Sequence, residues 1–237
     1  MSPMTTESEK LSEAEEEYIE ALYHMHEEGK TNVKTSELAR RLRVSPASVT
    51  EMLRDSLAKK DLVKYVPYKG ASLTPKGREV AAKIVRKHRI AERLLTDIVG
   101  VDWDECHEEA CKLEHALSDS VVDKLAASLK NPDTCPHGNI IPPPTGEIKV
   151  EGRPLAFFNP PAKVKVVRIS REGRDTLRRL ASLGIMPGVE LKLVRKSPAG
   201  GPLIVDSGCL QVAVGRDLAE VIMVVPVDGE DERKGHS

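Results

Sequence analysis

The stretch His88-Arg89-Ile90-Ala91-Glu92, followed by His107-Glu108-Glu109-Ala110-Cys111-Lys112-Leu113-Glu114-His115, decides how this chain is read. At about 100° per helical residue, His107, Cys111, Glu114 and His115 share one face, and so do His88 and Glu92, four residues apart. If Gly100 closes the first helix and Asp102 or Asp104 opens the second, an antiparallel return at about 1.5 Å per residue brings Glu92 near His107 and His88 near Cys111. A polar stripe on one helix is usually its solvated side. Two stripes whose imidazole, thiolate and carboxylate donors match across a hairpin point to a metal site.

Donor chemistry narrows the ion. Thiolate and imidazole favour Fe(II), Co(II), Ni(II) and Zn(II), whereas several carboxylates pull toward Mn(II) and Fe(II). The set is too acidic for a Cys-rich structural zinc tetrahedron. Upstream, the apolar spacing of Leu11, Ala14, Tyr18, Ile19, Leu22 and Met25 predicts a helix over Leu11 to His26 that carries Glu17 and Glu20 one turn apart. With these two, the candidate ligands are Glu17, Glu20, His88, Glu92, His107, Cys111, Glu114 and His115, enough for two neighbouring divalent ions. His107-Glu108-x-x-Cys111 is a near miss for the H-E-x-x-H of zinc proteases, but its second His is replaced. Phosphate-cradling glycine loops and a G-x-S-x-G elbow are also absent, so no enzyme is expected. His24, His26 and His236 read as surface histidines, and Cys106 as core or bystander.

The 237 residues are 40% apolar with only seven aromatics, so the cores must be largely aliphatic, in two compact units and a small third. Charge is unevenly placed. From Lys34 to Glu79, eleven Lys or Arg face five acids, a balance of +6 that suits a polyanion. The start of the chain lacks a basic-then-apolar signal pattern, and no apolar run approaches the roughly 20 residues of a bilayer span, so a cytoplasmic protein is expected. The four cysteines fit free thiols rather than a secreted disulfide framework.

Thr35 to Leu42 and Ser45 to Leu57 read as two helices in a tight turn. Ser45-Pro46 is a cap followed by a proline at the first helical position. Leu62 to Val66 and Ala71 to Leu73, about a Pro67-Tyr68-Lys69-Gly70 turn, form a wing, which makes 1–73 a winged helix-turn-helix DNA-binding domain. Thr74-Pro75 opens a long helix to about Val99 whose apolar girth suggests a subunit interface. Residues 74–135 are thus a helical metal-binding and dimerisation domain. Eight of sixteen prolines lie between Asn131 and Pro161, and 136–161 is expected to be a linker. Residues 162–227, with short strands, one helix over Arg171 to Leu183 and glycine turns, read as a small closed barrel. The tail, 228–237, is expected to be disordered. The fold class is therefore mainly α with small β.

Arg86-Lys87-His88-Arg89-Ile90-Ala91-Glu92-Arg93-Leu94-Leu95 and His107 through Ser118, with the helix-turn-helix and Cys135-Pro136-His137-Gly138-Asn139, closely resemble the diphtheria-toxin-repressor family of metal-activated transcriptional repressors. Leu180-Ala181-Ser182-Leu183-Gly184-Ile185-Met186-Pro187-Gly188 is similar to the FeoA-type, SH3-like domain that many members carry. The resemblance implies an activating site from Cys111, Glu114 and His115, completed by a residue of the first helix, and an ancillary one from His88, Glu92 and His107. Three departures accompany it. Glu17 stands where iron-responsive members place Met, and manganese-responsive members have acids there and at the place of Glu20, yet usually a carboxylate at Cys111. The acid and amide that supply extra ligands in some members align near Gly173 and Thr176 and are not carried over. The stretch between Val49 and Leu57 is one residue longer than usual.

The function so implied is a homodimeric repressor of metal-ion homeostasis whose DNA affinity rises with Fe(II), or alternatively Mn(II). Without a cation the carboxylates repel and the acidic first helix swings or frays; a divalent ion pins it. The dimer would then fit major grooves about 34 Å apart on a pseudo-palindromic operator. Ser45, Ala47, Ser48, Thr50, Glu51 and Arg54 are placed to meet bases or phosphates, with Arg40, Arg41 and Lys69 on phosphates. The competing class is a metal-transport accessory protein whose barrel recognises a transporter, against which the basic winged helix argues.

Overall fold

The structure is a computed structural model that describes residues 11–143, 151–208 and 210–227. The chain divides into two compact units. The first holds the described residues up to Lys87 with Pro142 and Pro143; the second holds His88–Ile141 and the described residues from 151 onward.

In the first unit, α1 (Glu13–Glu27) starts at a complete capping box, in which Ser12 and Glu15 satisfy each other's backbone N–H groups. The turn between α2 (Thr35–Leu42) and α3 (Pro46–Glu51) closes on Arg43 in the left-handed region and on Ser45, whose hydroxyl accepts from the Ser48 N–H. Ile19, Leu22, Leu38, Val49, Leu53 and Leu57 fill the core of this unit. α3 does not continue as an α-helix. Met52–Leu57 is π-helical, with wider i→i+5 turns, and Leu53 and Leu57 lie in the core. β1 (Val63–Val66) and β2 (Gly70–Leu73) pair antiparallel to make the wing. Thr74 caps α4 (Pro75–Leu94) through the Gly77 N–H.

The last turns of α4, from His88, lie in the second unit and continue as a π-helical segment, Leu95–Val99, that Gly100 ends at positive φ. α5 (Cys106–Glu114) and α6 (Asp119–Ser128) follow. Ala91, Leu95, Cys106 and Ala110 seal α4 to α5, and Ile90, Val122, Ala126 and Ile141 seal it to α6. Ile98, Val99 and Val121 are exposed on this helical part.

The remaining strands are β3 (Arg153–Pro154), β4 (Ala162–Ile169), β5 (Glu190–Lys196), β6 (Leu203–Asp206), β7 (Gln211–Val214) and β8 (Ile222–Pro226), with α7 (Arg174–Ser182) and α8 (Arg216–Ala219) between them. They form one antiparallel sheet in the order β3-β8-β4-β5-β6-β7 around an aliphatic core that includes Leu177, Leu180 and Ile185.

Two expectations need correction. The barrel is not closed: β3 and β7 are the two edges of the sheet and do not pair. The stretch 136–161 is not all linker. Cys135–Asn139 is a packed turn with Cys135, His137 and Asn139 buried, and Arg153–Pro154 is an edge strand, the one place in a sheet where proline's missing N–H costs little. The expected disordered tail lies outside the described residues. Among the described residues, no helix is long and apolar enough to cross a membrane.

Candidate metal centre

The donors of α4 and α5 lie in the second unit. His88 is fully buried. Its Nδ1 donates to Glu114 Oε2 at 2.6 Å, which turns Nε2 toward Glu92 Oε1 and His107 Nδ1, both at 3.0 Å. His107 Nδ1 is in turn 3.2 Å from Glu92 Oε1. The expected match of the two helices across a hairpin is therefore what the structure contains. Cys111 Sγ lies 4.0 Å from His88 Nδ1 and from His107 Nε2. The second oxygen of Glu114 is 3.4 Å from His115 Nε2.

Three further donors were not read from the sequence as ligands. Glu172 Oε2 is 3.4 Å from His107 Nδ1, while Glu172 Oε1 is 3.5 Å from His137 Nδ1 and 3.8 Å from Cys135 Sγ. His137 Nδ1 also lies 3.2 Å from Glu92 Oε1. The Cys135-Pro136-His137-Gly138-Asn139 motif was the available signal for two of these donors. Its packing explains the third. The Ile169 N–H donates to the His137 carbonyl at 2.9 Å, and the Asn139 amide donates to the Ile169 carbonyl at 2.9 Å and to Glu172. Gly138, at φ 82°, lets this turn lie against the Val167 carbonyl, where a Cβ would collide. The sheet thus delivers Glu172 to the helical donors, one residue before the Gly173 position where the resemblance placed an acid.

Burial opposes the imidazolium form of all three histidines, yet neighbouring groups overcome it. Glu92 raises His88 well above the usual range, Cys111 and Glu92 lift His107 to about 10, and Glu92 holds His137 high as well. Glu92 and Glu172 are held low against their own burial, Glu92 by His137 and His88, Glu172 by His137. Cys111 is lowered by His107 and His88, whereas burial and the two carboxylates push Cys135 up to about 12. In the metal-free chain, protons hold this cluster of acids together.

The donors are also spaced to hold a divalent cation. His137 donates from Nε2 to the Trp103 carbonyl at 2.9 Å, which leaves Nδ1 as its ligating nitrogen, and that atom has no hydrogen-bond partner. Glu92 Oε2 is likewise buried and unsatisfied. Donors about 2.1 Å from a shared ion lie about 3.0 Å apart at right angles and about 3.4 Å apart in a tetrahedron. The sets His88, Glu92, His107, Glu172 and Glu92, Cys135, His137, Glu172 each lie within 4.8 Å, and so do His88, His107 and Cys111.

In the first unit, Glu17 is exposed on α1 and Glu20 Oε1 is 3.3 Å from His24 Nε2. His24 is correspondingly not a free surface residue, since it also meets Glu27 at 3.2 Å; His26 is exposed, and His236 lies outside the described residues. Ser45, Ala47, Ser48, Glu51 and Arg54 are exposed on or beside α3 and its π-helical continuation, while Thr50 is half-buried and donates to the Pro46 carbonyl. Arg40 and Lys69 are exposed, and Arg41 pairs with Glu28 at 2.6 Å. Arg54 pairs with Asp55, also at 2.6 Å.

The sequence matches three domain families: the N-terminal DNA-binding domain of iron-dependent repressors over residues 10–71, their metal-binding and dimerisation domain over 74–143, and the FeoA domain over 153–226. It is 31% identical to the iron-dependent repressor IdeR of Mycobacterium leprae, across 92% of this chain and 99% of the relative. It is 32% identical to the diphtheria toxin repressor of Corynebacterium diphtheriae, across 90% and 97%. Among solved structures, a manganese-dependent transcriptional repressor in complex with manganese superposes with a TM-score of 0.83 at 32% identity, across 90% of this chain and all of that one. The IdeR of T. acidophilum superposes at 0.77 with 28% identity, across 92% and 99%.

Proposed function

Because the chain belongs to the diphtheria-toxin-repressor family of metal-dependent DNA-binding repressors, we propose that it is a cytoplasmic homodimer that represses metal-homeostasis genes when Fe(II) occupies its helical domain. The observation that carries the metal half of this reading is the buried constellation of His88, Glu92 and His107, whose donor atoms lie 3.0–3.2 Å apart. Bound there, a divalent cation would replace protons as the counter-charge to the carboxylates. Cys111, Glu114 and His115 are proposed as the activating set, with Cys111 as the soft donor that favours Fe(II) over Mn(II). Glu17 and Glu20 are proposed as further ligands on the strength of the sequence resemblance alone. They favour the second reading, Mn(II), which the manganese-dependent structural relative also supports.

Ala47, Ser48, Thr50, Glu51 and Arg54, with the Ser45 cap, are proposed to face base edges and phosphates, and Arg40, Arg41 and Lys69 to hold phosphates. The basic balance of this domain supports that role. Exposed Ile98, Val99 and Val121 supply apolar surface for a second copy, so that two recognition helices would read a pseudo-palindrome. To switch from about 1:99 to 99:1 the cation must bind the DNA-competent state more tightly by roughly 5.5 kcal/mol, which several ligands made in that state alone can provide.

The test is an anaerobic titration of Fe(II) and, separately, Mn(II) against the full chain with promoter fragments in a gel shift. Fe(II) is expected to induce the shift at lower free concentration. Equal shifts with chelator and with either metal would refute the reading.

A further inference from the structure

The four-donor sets in the second unit, His88, Glu92, His107, Glu172 and Glu92, Cys135, His137, Glu172, share both of their carboxylates. We propose that they form a single dinuclear centre, in which Glu92 and Glu172 bridge two divalent cations, one held by His88 and His107 and the other by His137 and Cys135. The proposal rests on the metal-dependent reading above and adds to the Cys111, Glu114 and His115 set an ancillary place that takes a pair of ions.

Glu172 carries the argument, because it splits its oxygens. Oε2 faces His107 Nδ1 at 3.4 Å and Oε1 faces His137 Nδ1 at 3.5 Å, an arrangement in which one carboxylate offers one oxygen to each of two ions. Asn139 donates to Oε1 and fixes the carboxylate in this pose; the Cys135 thiol donates to the same oxygen, a place that its thiolate would free for an ion. Glu92 instead presents one oxygen to both sides. Its Oε1 lies 3.0 Å from His88 Nε2, 3.2 Å from His107 Nδ1 and 3.2 Å from His137 Nδ1, and its Oε2 is buried with nothing to accept from.

The imidazoles point the same way. His137 is buried, with Nε2 2.9 Å from the Trp103 carbonyl and Nδ1 aimed between the two carboxylates, 3.2 Å from Glu92 Oε1 and 3.5 Å from Glu172 Oε1, without a well-formed hydrogen bond to either. A cation placed between them would meet Nδ1 and both carboxylates at once. The Cys135 Sγ to Glu172 Oε1 separation of 3.8 Å is wider than the nitrogen–oxygen separations, as the longer metal–sulfur bond of about 2.3 Å requires. Two carboxylates and a thiolate offset three of the four positive charges of such a pair. Carboxylate-bridged ions lie about 3.5–4 Å apart, close enough for their unpaired electrons to couple.

Mn(II) is the probe, since its electron paramagnetic resonance distinguishes isolated from exchange-coupled ions. Full-length chain, loaded anaerobically and counted by equilibrium dialysis, is expected to show a coupled signal. His137→Gln and, from the other side, His107→Gln should each lower the count by one ion per chain and convert the coupled signal to an isolated one. His107 is about a quarter exposed, so its variant keeps the test open if the buried His137 variant fails to fold. An uncoupled spectrum in a wild-type chain that binds Mn(II), or a coupled spectrum that survives His107→Gln, overturns the pair and leaves the repressor reading standing. A chain that binds no divalent cation overturns both.

Discussion

His88 Nδ1 donates to Glu114 Oε2 at 2.6 Å inside the helical part of the second unit, and both side chains are essentially buried. The bond fixes which nitrogen of His88 keeps its proton when a cation binds and aims Nε2 at Glu92 and His107. A group that orients a metal-binding imidazole through its other nitrogen, as this oxygen of the proposed activating ligand Glu114 does for His88, is worth about 10–100-fold in affinity. Glu114→Gln is therefore expected to weaken cation binding at His88 by at least about tenfold, read by isothermal titration under anaerobic conditions. Unchanged affinity would show that the tautomer is set elsewhere.

Loading the centre must displace protons. His107 is held up at about 10, and His88 and His137 are raised as well, so at neutral pH the metal-free imidazoles are charged and each must lose its proton to become a ligand. Apparent affinity is expected to rise with pH through the neutral range toward pH 10. Calorimetric enthalpies in buffers of different ionisation heat should show at least one proton released per ion bound.

How far the sequence could see is itself instructive. Ser45-Pro46 and Thr74-Pro75 marked two helix starts because capping and proline geometry are local, and His88/Glu92 against His107/Cys111 was legible because helical periodicity places those donors on facing stripes. Glu172 was not legible. It reaches the site only through the docking of the Cys135–Asn139 turn on Ile169, a long-range contact that no periodicity reports. A closed barrel was expected wrongly for a related reason: alternation along a strand reveals which face is buried, but not which edges pair. The π-helical turn at Met52–Leu57 was not legible either, since its apolar spacing reads as an ordinary helix.

Gly138 tests that docking. At φ 82° it presses its α-carbon against the Val167 carbonyl, so Gly138→Ala should cost of order 1–3 kcal/mol. The variant should also lose cation affinity by releasing Glu172, while the first unit keeps its stability. Urea denaturation of the metal-free chain, paired with a metal count, separates the two effects.

Acid stability of the first unit turns on Glu15. Although burial raises its pKa, hydrogen bonds from Lys60, Ser56 and Ser12 lower it from the model-peptide value of 4.5 to about 2. Since the folded value is depressed, the stabilisation is full above about pH 4.5 and is lost as pH falls toward 2. Glu15→Gln should cost about 2 kcal/mol at pH 7, allowing for solvent screening. The difference from wild type should shrink steadily below pH 4.5.

The most direct test of the central claim is the affinity of the full chain for a promoter duplex, measured by fluorescence anisotropy at fixed salt with Fe(II) or with chelator, for wild type and for Cys111→Ala. The account predicts tight binding of the wild type only with Fe(II), and for Cys111→Ala no metal-dependent gain despite an intact dimer by light scattering. Equal affinity of wild type in Fe(II) and in chelator, or a full Fe(II) response without the Cys111 thiol, would contradict it.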